Sequence, residues 1–189
     1  MESILTNISK HIQLTASEQT YFVSLLKPRS FQKKEFLQQA GEPCRHIYFV
    51  TEGILRAFFL SEGGKESTIM FASKDWWITD MDSFVHQEKA VVNIQVIATA
   101  SVLSLSKRDL EELYQRIPDF NKFFRILMQN AYCREQRRSY QTLSLSAKDR
   151  YEQFTTQYPD VARNVAQKHI ASYLGITPEF LSHIRSQKA

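Results

Sequence analysis

The side chains best suited to chemistry lie near the carboxyl end of the chain, in the segment QKHIASYLGITPEFLSHIR at residues 167–185. Apolar residues at helical spacing stand on both sides of Gly175, which predicts two short helices that bury their apolar faces against each other. Gly175 can adopt the positive φ that ends the first helix, and Ala171 is small enough to lie where the helices cross. The segment therefore predicts a helix-turn-helix, whose second helix would read base pairs in the major groove of DNA.

The second of these helices has its own start signal and a polar outer face. Thr177 is a suitable N-cap, Pro178 suits the first helical position, and Glu179 lies in the first turn. Short polar side chains can hydrogen-bond to base edges, whereas lysine and arginine reach phosphates. The predicted DNA-binding residues are Lys168, Thr177, Pro178, Glu179, Ser182, His183, Arg185 and Lys188. A solvated helical hairpin is the alternative interpretation.

Positive charge is concentrated in the same part of the chain. Residues 1–118 carry 13 Lys and Arg against 14 Asp and Glu, whereas residues 119–189 carry 11 against 6. A basic carboxyl-terminal part joined to a neutral part is typical of a phosphate-facing module attached to a sensor.

The rest of the composition indicates an ordinary globular protein of 189 residues, long enough for two small domains. It has no apolar run long enough to span a membrane and no signal-peptide pattern, so we expect a cytoplasmic protein without a membrane partner. Cys44 and Cys133 lie far apart and fit neither a disulfide framework nor a metal site. No metal and no cofactor is therefore expected.

The elements that must position the helix-turn-helix begin with helices in the first thirty residues. Thr15 and Glu18 form a capping-box pattern that opens the second of them. Between residues 29 and 106 the sequence changes to short β-like runs separated by glycines at Gly41, Gly53 and Gly63–Gly64. This rhythm predicts a small antiparallel barrel or jelly roll, with the segment 75–84 capping its interior.

A long helix follows the last predicted strand. Ser106 opens a short helix, and Pro118 then starts a helix from Asp119 to about Thr142 that becomes polar after Gln129. A narrow apolar seam on a long helix suits pairing with a second copy. The predicted dimer interface is Phe120, Phe124, Leu127 and Ala131. Residues 143–146 then break the pattern as a hinge, and Ser146 caps the next helix.

This order of parts resembles the Crp/Fnr family of bacterial transcription regulators. The most specific motifs are Gly41-Glu42 followed by YFVTEG at 48–53, KDRY at 148–151, and the helix-turn-helix. The resemblance implies an α+β fold: an N-terminal antiparallel β-roll of double-stranded β-helix or jelly-roll type with flanking helices, a long dimerisation helix, and a carboxyl-terminal helix-turn-helix. The implied domains are a cyclic-nucleotide-binding-like sensor at 1–117, the dimerisation helix and hinge at 118–145, and the DNA-binding domain at 146–189.

The resemblance also implies a homodimeric, sequence-specific regulator that binds double-stranded DNA and works with RNA polymerase. Many members add a β-hairpin wing after the recognition helix, and this chain, ending at Ala189, is expected to lack a full wing. The family positions most often occupied by arginine in the recognition helix are His183 and Pro178 here, so the operator should differ.

The positions at which this chain departs from the family pattern argue against cyclic AMP as the effector. Members that bind it have Gly-Glu and then, roughly eleven residues on, Arg-Ser or Arg-Thr, where this chain has Thr79-Asp80 and Ala90-Val91. The cyclic phosphate would lack its arginine. In those members a Thr-Ser pair on the long helix contacts the base of the cyclic nucleotide, and Glu135-Gln136 stands at that position here. An iron–sulfur cluster needs four thiolates, and two cysteines cannot supply them.

Any effector is therefore expected to be an uncharged or largely apolar small molecule rather than a cyclic nucleotide. The candidate effector pocket comprises Phe58, Phe71, Trp76, Trp77, Thr79, Asp80 and Lys89. The same aromatic rings would also suit a packed core.

Two alternatives remain. The first is a cupin-like metal-dependent enzyme, but the barrel offers only His46 and His86 where a cupin needs clustered histidines and a glutamate. The second is a constitutive DNA-binding dimer whose barrel senses nothing.

Overall fold

Two short helices precede the sheet in the computed structural model, which describes residues 1–187. Helix α1 (Glu2–Ser9) buries Ile4 and Ile8, and α2 (Ala16–Leu25) buries Phe22. The predicted capping box of α2 is confirmed, since the Glu18 amide donates to Thr15 Oγ1 at 3.3 Å and the Thr15 amide donates to the Glu18 carboxylate at 2.8 Å.

A six-stranded antiparallel sheet forms the central layer. Its long strands β3 and β6 pair from His46–Ser106 at one end to Phe58–Asn93 at the other. Strands β1 and β2 pair with β6, and β4 and β5 pair with β3. The strands are β1 (Lys27–Phe31), β2 (Phe36–Gln38), β3 (His46–Leu60), β4 (Glu66–Ala72), β5 (Trp77–Ile78) and β6 (Asn93–Ser106). The predicted combination of helices with an antiparallel sheet is confirmed.

Gly53 does not separate two strands, as its predicted turn would require. It lies inside β3, at φ 91°, where the register with β6 is irregular. A β-carbon here would come within 2.6 Å of Ala100 Cα and would also meet the Thr99 carbonyl oxygen. The glycine therefore allows β6 to approach β3 closely at a bulge, and the strand continues through it.

The sheet contributes to three apolar clusters, one of which is made by strand residues alone and one of which joins the sheet to the carboxyl-terminal helices. The cluster of strand residues includes Tyr48, Val50, Leu55, Ile94 and Val102, all nearly inaccessible to solvent. Another forms where helices pack over the sheet and includes Ile4, Phe22, Phe49, Trp77, Leu113, Phe120, Phe123 and Phe124. Helix α3 (Met81–His86) lies between β5 and β6 in the chain and overlaps the end of the segment predicted to cap the interior.

The long helix α5 (Asp119–Ser144) follows α4 (Lys107–Arg116), and its first turns are part of this chain's own core. Phe120 is fully buried, with its ring centroid 4.8 Å from that of Phe22, and Phe124 is only 5% exposed. These two residues of the predicted dimer interface are thus already covered within the chain. Leu127 and Ala131 are half-buried.

Four helices complete the chain: α6 (Ala147–Gln157), α7 (Pro159–Asn164), α8 (Gln167–Leu174) and α9 (Pro178–Ser186). Helix α5 continues to Ser144, so the extended residues of the predicted hinge are only Leu145 and Ser146. Ser146 caps α6 as predicted, accepting from the Asp149 amide at 3.2 Å. Helix α7 was not predicted, although Pro159 at its first position is a typical start. Within residues 1–187, no helix is long and apolar enough to cross a membrane.

Candidate nucleic-acid interface and effector region

Helices α8 and α9 form the predicted helix-turn-helix. Gly175 ends α8 at φ 69°, and the Ile176 amide donates to the Ala171 carbonyl at 3.0 Å. This bond from two residues past the helix end is the closure that a left-handed glycine permits. Ala171 and Leu181 have no exposed surface and Ile184 is 4% exposed, so the two apolar stripes face each other as the sequence predicted.

The start of α9 is also as predicted. Thr177 Oγ1 accepts from the Phe180 amide at 3.2 Å, and Pro178 occupies the first turn. The predicted base-contacting side chains are exposed, because Leu181 and Ile184 take the opposite, buried face. The exposed predicted residues are Lys168, Thr177, Pro178, Glu179, Ser182, His183 and Arg185. Lys188 lies outside the described residues.

Phe180 is a candidate contact that the sequence analysis missed. Its side chain is 49% exposed on α9 between Glu179 and the buried Leu181. The helical spacing set by Leu181 and Ile184 places it outside the buried face, which is the signal in the sequence that could have identified it. An exposed aromatic ring in a recognition helix can contact a thymine methyl group.

Helix α8 packs on the edge of the sheet through hydrogen bonds that the sequence did not indicate. Ser172 Oγ accepts from the Thr68 amide and donates to the Glu66 carbonyl, both at 2.9 Å. Strand β4 pairs with β3 on its other side, so these bonds use free backbone groups of an edge strand. A serine hydroxyl can satisfy both groups because it donates and accepts.

A buried arginine joins the same helix to two strands. Arg56 is 2% exposed, pairs with Glu66 at 2.6 Å and donates to Gln95 Oε1 at 3.0 Å. Its Nη1 lies 2.6 Å from His169 Nδ1 on α8. Since a guanidinium only donates, Nδ1 must accept and the proton of the neutral ring must lie on Nε2. Burial, together with the charges of Arg56 and Lys168, lowers the pKa of His169 to about 4, against a smaller opposing effect of Glu66.

Arg138 links the long helix α5 to strand β4 and to helix α8. Its Nη1 donates to the Ile69 carbonyl at 2.5 Å, and its Nη2 donates to the Tyr173 carbonyl at 3.3 Å. The guanidinium carbon also lies 4.3 Å from the centre of the Tyr173 ring. One side chain of α5 thus contacts strand β4 and helix α8 together.

An aromatic cluster fills the space between the sheet and α6–α8. Phe71 lies 5.5 Å from Tyr173 and 6.1 Å from Phe154, measured between ring centroids. Trp76 meets Tyr158 edge-on at 5.7 Å. Burial raises the pKa of Tyr173 and of Tyr158, so both hydroxyls stay neutral at physiological pH. Phe71 therefore packs against the helices next to the helix-turn-helix, and it lines only a small pocket, which it shares with Trp76, Tyr158 and Tyr173.

The other predicted pocket residues do not converge on one site. Phe58 lies 4.0 Å below the Arg56 guanidinium, and Lys89 is exposed beside a bridge to Pro43. Trp76, Trp77 and Thr79 do line one cavity, which we call the tryptophan cavity. It has a volume of about 300 Å³ and lies between β5, α1 and the middle of α5.

Asp80 is separate from that cavity and is saturated by its own chain. Its Oδ2 accepts from the amides of Val91 and Val92 at 2.8 and 3.0 Å and from Ser83 Oγ at 3.0 Å. The side chain is 6% exposed. This carboxylate therefore joins the end of β5 to residues 91–92, the segment that the sequence analysis compared with a cyclic AMP site.

Within residues 1–187, no group of three or more His, Cys, Asp or Glu side chains is placed to hold a metal ion. Cys44 is buried, which raises the pKa of its thiol, and Cys133 is exposed.

Comparisons with known proteins agree with the arrangement of a sheet domain followed by a helix-turn-helix. Residues 28–117 match the family model of the cyclic nucleotide-binding domain. The chain is 26% identical over 171 residues to the transcriptional activator protein Anr of Pseudomonas aeruginosa, with 82% of this chain and 68% of that protein covered.

Solved structures show the same fold. FixK2 from Bradyrhizobium japonicum superposes with a TM-score of 0.75 at 18% identity, covering 86% of this chain and 83% of that one. A transcriptional regulator of the Crp/Fnr family from Eubacterium rectale gives a TM-score of 0.71 at 15% identity, covering 92% and 83%.

A cyclic nucleotide-binding type of domain followed by a helix-turn-helix in one chain defines the class to which the protein is similar, that of transcription regulators such as Anr. Within that class, the chain is similar to regulators of the Crp/Fnr type. Both curated relatives are transcriptional activator proteins, so the cupin alternative is not favoured.

Proposed function

We propose that the protein is a homodimeric regulator that binds a specific DNA sequence through α9. The observation that carries this proposal is the solvent-exposed polar face of α9 on a fully buried helix-turn-helix core. Thr177, Glu179, Ser182 and His183 would contact base edges, while Lys168 and Arg185 would contact phosphates. The domain division at 117/118 and 145/146 and the closure of the sheet as a jelly roll belong to this proposal.

Dimerisation would use the part of α5 that remains exposed. Tyr132, Tyr140 and Leu143 are 66%, 59% and 88% exposed, and they lie on one face of the helix with Gln136. Large apolar side chains at helical spacing, exposed beyond the turns that pack in the core, suit a second copy of the same helix. The proposed interface therefore moves towards the carboxyl end from the predicted Phe120 and Phe124.

The effector would not be a cyclic nucleotide. Ala90 supplies no guanidinium for a cyclic phosphate, and Asp80 already accepts from the neighbouring amides. Bringing a phosphate to the same amides would place two negative groups together. RNA polymerase would be the further partner of the DNA-bound dimer.

Selection of bound sequences from a random DNA pool, followed by titration of the winning duplex, tests the proposal. A two-half-site sequence, bound at least about 1000-fold more tightly than random DNA at the same salt concentration, is expected. The matched control is Glu179→Ala, which should keep binding but lose discrimination. Binding of equal strength to all duplexes would reject sequence-specific function.

A further inference from the structure

The tryptophan cavity combines an apolar lining with an arginine, Arg134, that stacks on one of its tryptophans. Its walls include Trp76, Trp77, Met81, Phe123, Leu127 and Met128. At about 300 Å³ it is at the small end of the range for ligand sites. Methionine side chains adapt to the shape of an apolar ligand, and the tryptophan rings offer flat surfaces.

Three polar side chains of the lining are already occupied. Asn7 donates to the Asp75 carbonyl at 3.2 Å and accepts from Trp77 Nε1 at 3.3 Å. Thr79 donates to the His46 carbonyl at 2.9 Å. The Asp75 carboxylate accepts from Ser3 Oγ on the α1 side. These groups hold α1 against the sheet and leave little hydrogen-bonding capacity for a ligand.

Among the described residues, the three other polar side chains of the lining, His11, Asn130 and Arg134, make no hydrogen bond, and Arg134 is the one with a permanent charge. Its guanidinium carbon lies 4.8 Å from the centre of the Trp76 ring, and its side chain is half-buried. Among the residues that the structure describes, it has neither a hydrogen bond nor a salt bridge. A stacked guanidinium with free N–H groups is suited to bind a carboxylate through two parallel hydrogen bonds.

We propose that the tryptophan cavity binds a small apolar or aromatic molecule that carries one carboxylate, with its apolar part between the tryptophans and α5 and its carboxylate on Arg134. Asp75 supplies an opposing charge in the lining, which favours a single negative charge over a dianion such as phosphate. The sequence analysis expected an uncharged or largely apolar effector because it did not place an α5 arginine at the pocket.

The cavity also contacts the DNA-binding part of the chain, so its occupation would have a regulatory consequence. Trp76 lines the cavity and also meets Tyr158, at the junction of α6 and α7, edge-on. Arg138 lies one turn after Arg134 and contacts α8. A ligand that moves Arg134 and Trp76 would therefore shift the position of the helix-turn-helix. This consequence, unlike the binding itself, rests on the proposed function.

Intrinsic fluorescence tests the binding directly, because Trp76 and Trp77 are the two tryptophans of the chain. The full chain is titrated with phenylacetate and with the neutral phenylacetamide as its matched control. A saturable change is expected, with phenylacetate bound about tenfold more tightly.

Two variants separate the contributions of charge and shape. Arg134→Gln should reduce the affinity for phenylacetate to that for phenylacetamide, whereas Arg125→Gln, an exposed arginine on the same helix, should change neither. Ala131→Leu should weaken both probes by filling the cavity. Circular dichroism shows whether each variant is folded. If Arg134→Gln is not, Arg134→Lys takes its place. This substitution keeps the charge but loses the planar fork, so it should give an intermediate affinity.

Several results would overturn the inference. These are no saturable change with either probe at millimolar concentration, equal affinities for the acid and the amide, or an Arg134→Gln protein that binds as the parent does. A fluorescence change on dimerisation that abolishes probe binding would show that a second copy fills the cavity.

In operator titrations, phenylacetate should alter the dissociation constant by about fivefold or more. Operator binding without any probe tests the proposed function separately, so the two can fail independently.

Discussion

At the scale of single residues, the hydrogen bonds of Asp80 indicate a structural role that the sequence did not predict. Two backbone amides and a hydroxyl donate to Oδ2 of the buried carboxylate. These hydrogen bonds fix the loop between α3 and β6. Asp80→Ala leaves these donors without an acceptor, which should lower the free energy of unfolding by about 1–3 kcal/mol. Urea denaturation measures this loss.

The control for Asp80→Ala is Asp82→Ala, since the Asp82 side chain is 83% exposed. Its effect should stay within about 0.5 kcal/mol. Equal unfolding midpoints for the two variants would contradict the structural role of Asp80. If Asp80→Ala also gained affinity for cyclic AMP, the carboxylate would be shown to occupy the phosphate position.

The residues of α9 and α8 are expected to divide their work between bases and phosphates. Glu179→Ala should relax discrimination at one base pair by about 1–3 kcal/mol, because a carboxylate accepts from a cytosine amine. Lys168→Ala should weaken binding to all duplexes alike and reduce the salt dependence of binding. Titration of operators substituted at each position distinguishes the two patterns, and the same pattern for both variants would refute the division of roles.

At the scale of elements, the contact between α8 and the sheet should depend on pH. His169 accepts from Arg56 only when it is neutral, and its pKa falls from an ordinary value of 6.5 to about 4 in the folded chain. The unfolded chain therefore binds a proton first as the pH falls. The stabilising contribution of this contact is complete above about pH 6.5, decreases between 6.5 and 4, and is lost below that range.

Thermal unfolding of the parent and of His169→Gln across pH 4–7 tests this contribution. Glutamine can still accept from Arg56 but does not titrate, so the difference in Tm between parent and variant should change in favour of the variant as the pH falls. His183→Gln, an exposed histidine on α9, is the control and should leave the pH profile unchanged. Parallel profiles for the parent and His169→Gln would contradict the contact.

The elements themselves were largely predictable, because each depends on a local signal. Thr15, Ser146, Thr177 and Gly175 mark helix ends through contacts with residues only a few positions away. Gly53 was misinterpreted because a turn and a bulge place similar demands on φ, and only the partner strand distinguishes them. The burial of Phe120 and Phe124 could not be predicted either, since an apolar seam does not show whether its partner is another helix of the chain or another copy.

The candidate sites were predictable to a smaller extent. The polar face of α9 followed from helical periodicity alone. The tryptophan cavity and the contacts of Arg56, Arg134 and Arg138 join residues far apart in sequence, and one sequence carries no record of such pairs. The sequence argues against a cyclic AMP site from the missing arginine alone, whereas the structure also shows that the Asp80 carboxylate accepts hydrogen bonds from backbone amides of the chain.

At the scale of the whole molecule, the number of copies decides how DNA is read. One helix-turn-helix covers a single half-site, while a symmetric dimer reads two half-sites about 34–36 Å apart. The exposed face of α5 at Tyr132, Tyr140 and Leu143 is the surface proposed to join the copies. Tyr132→Asp would place two carboxylates close to the twofold axis of a helix pair, where burial makes each of them costly.

Tyr132→Asp should therefore convert the protein to a monomer in sedimentation equilibrium and lower the affinity for a two-half-site operator while leaving half-site binding unchanged. Arg137→Gln alters the net charge by the same amount on an exposed position of α5 away from this face, and it should remain dimeric. Circular dichroism should show equal helix content in both variants, because Tyr132 is 66% exposed and makes only a 3.4 Å side-chain contact with Gln136. A parent protein that sediments as a monomer at micromolar concentration, or a Tyr132→Asp protein that stays dimeric, would place the contact between copies elsewhere.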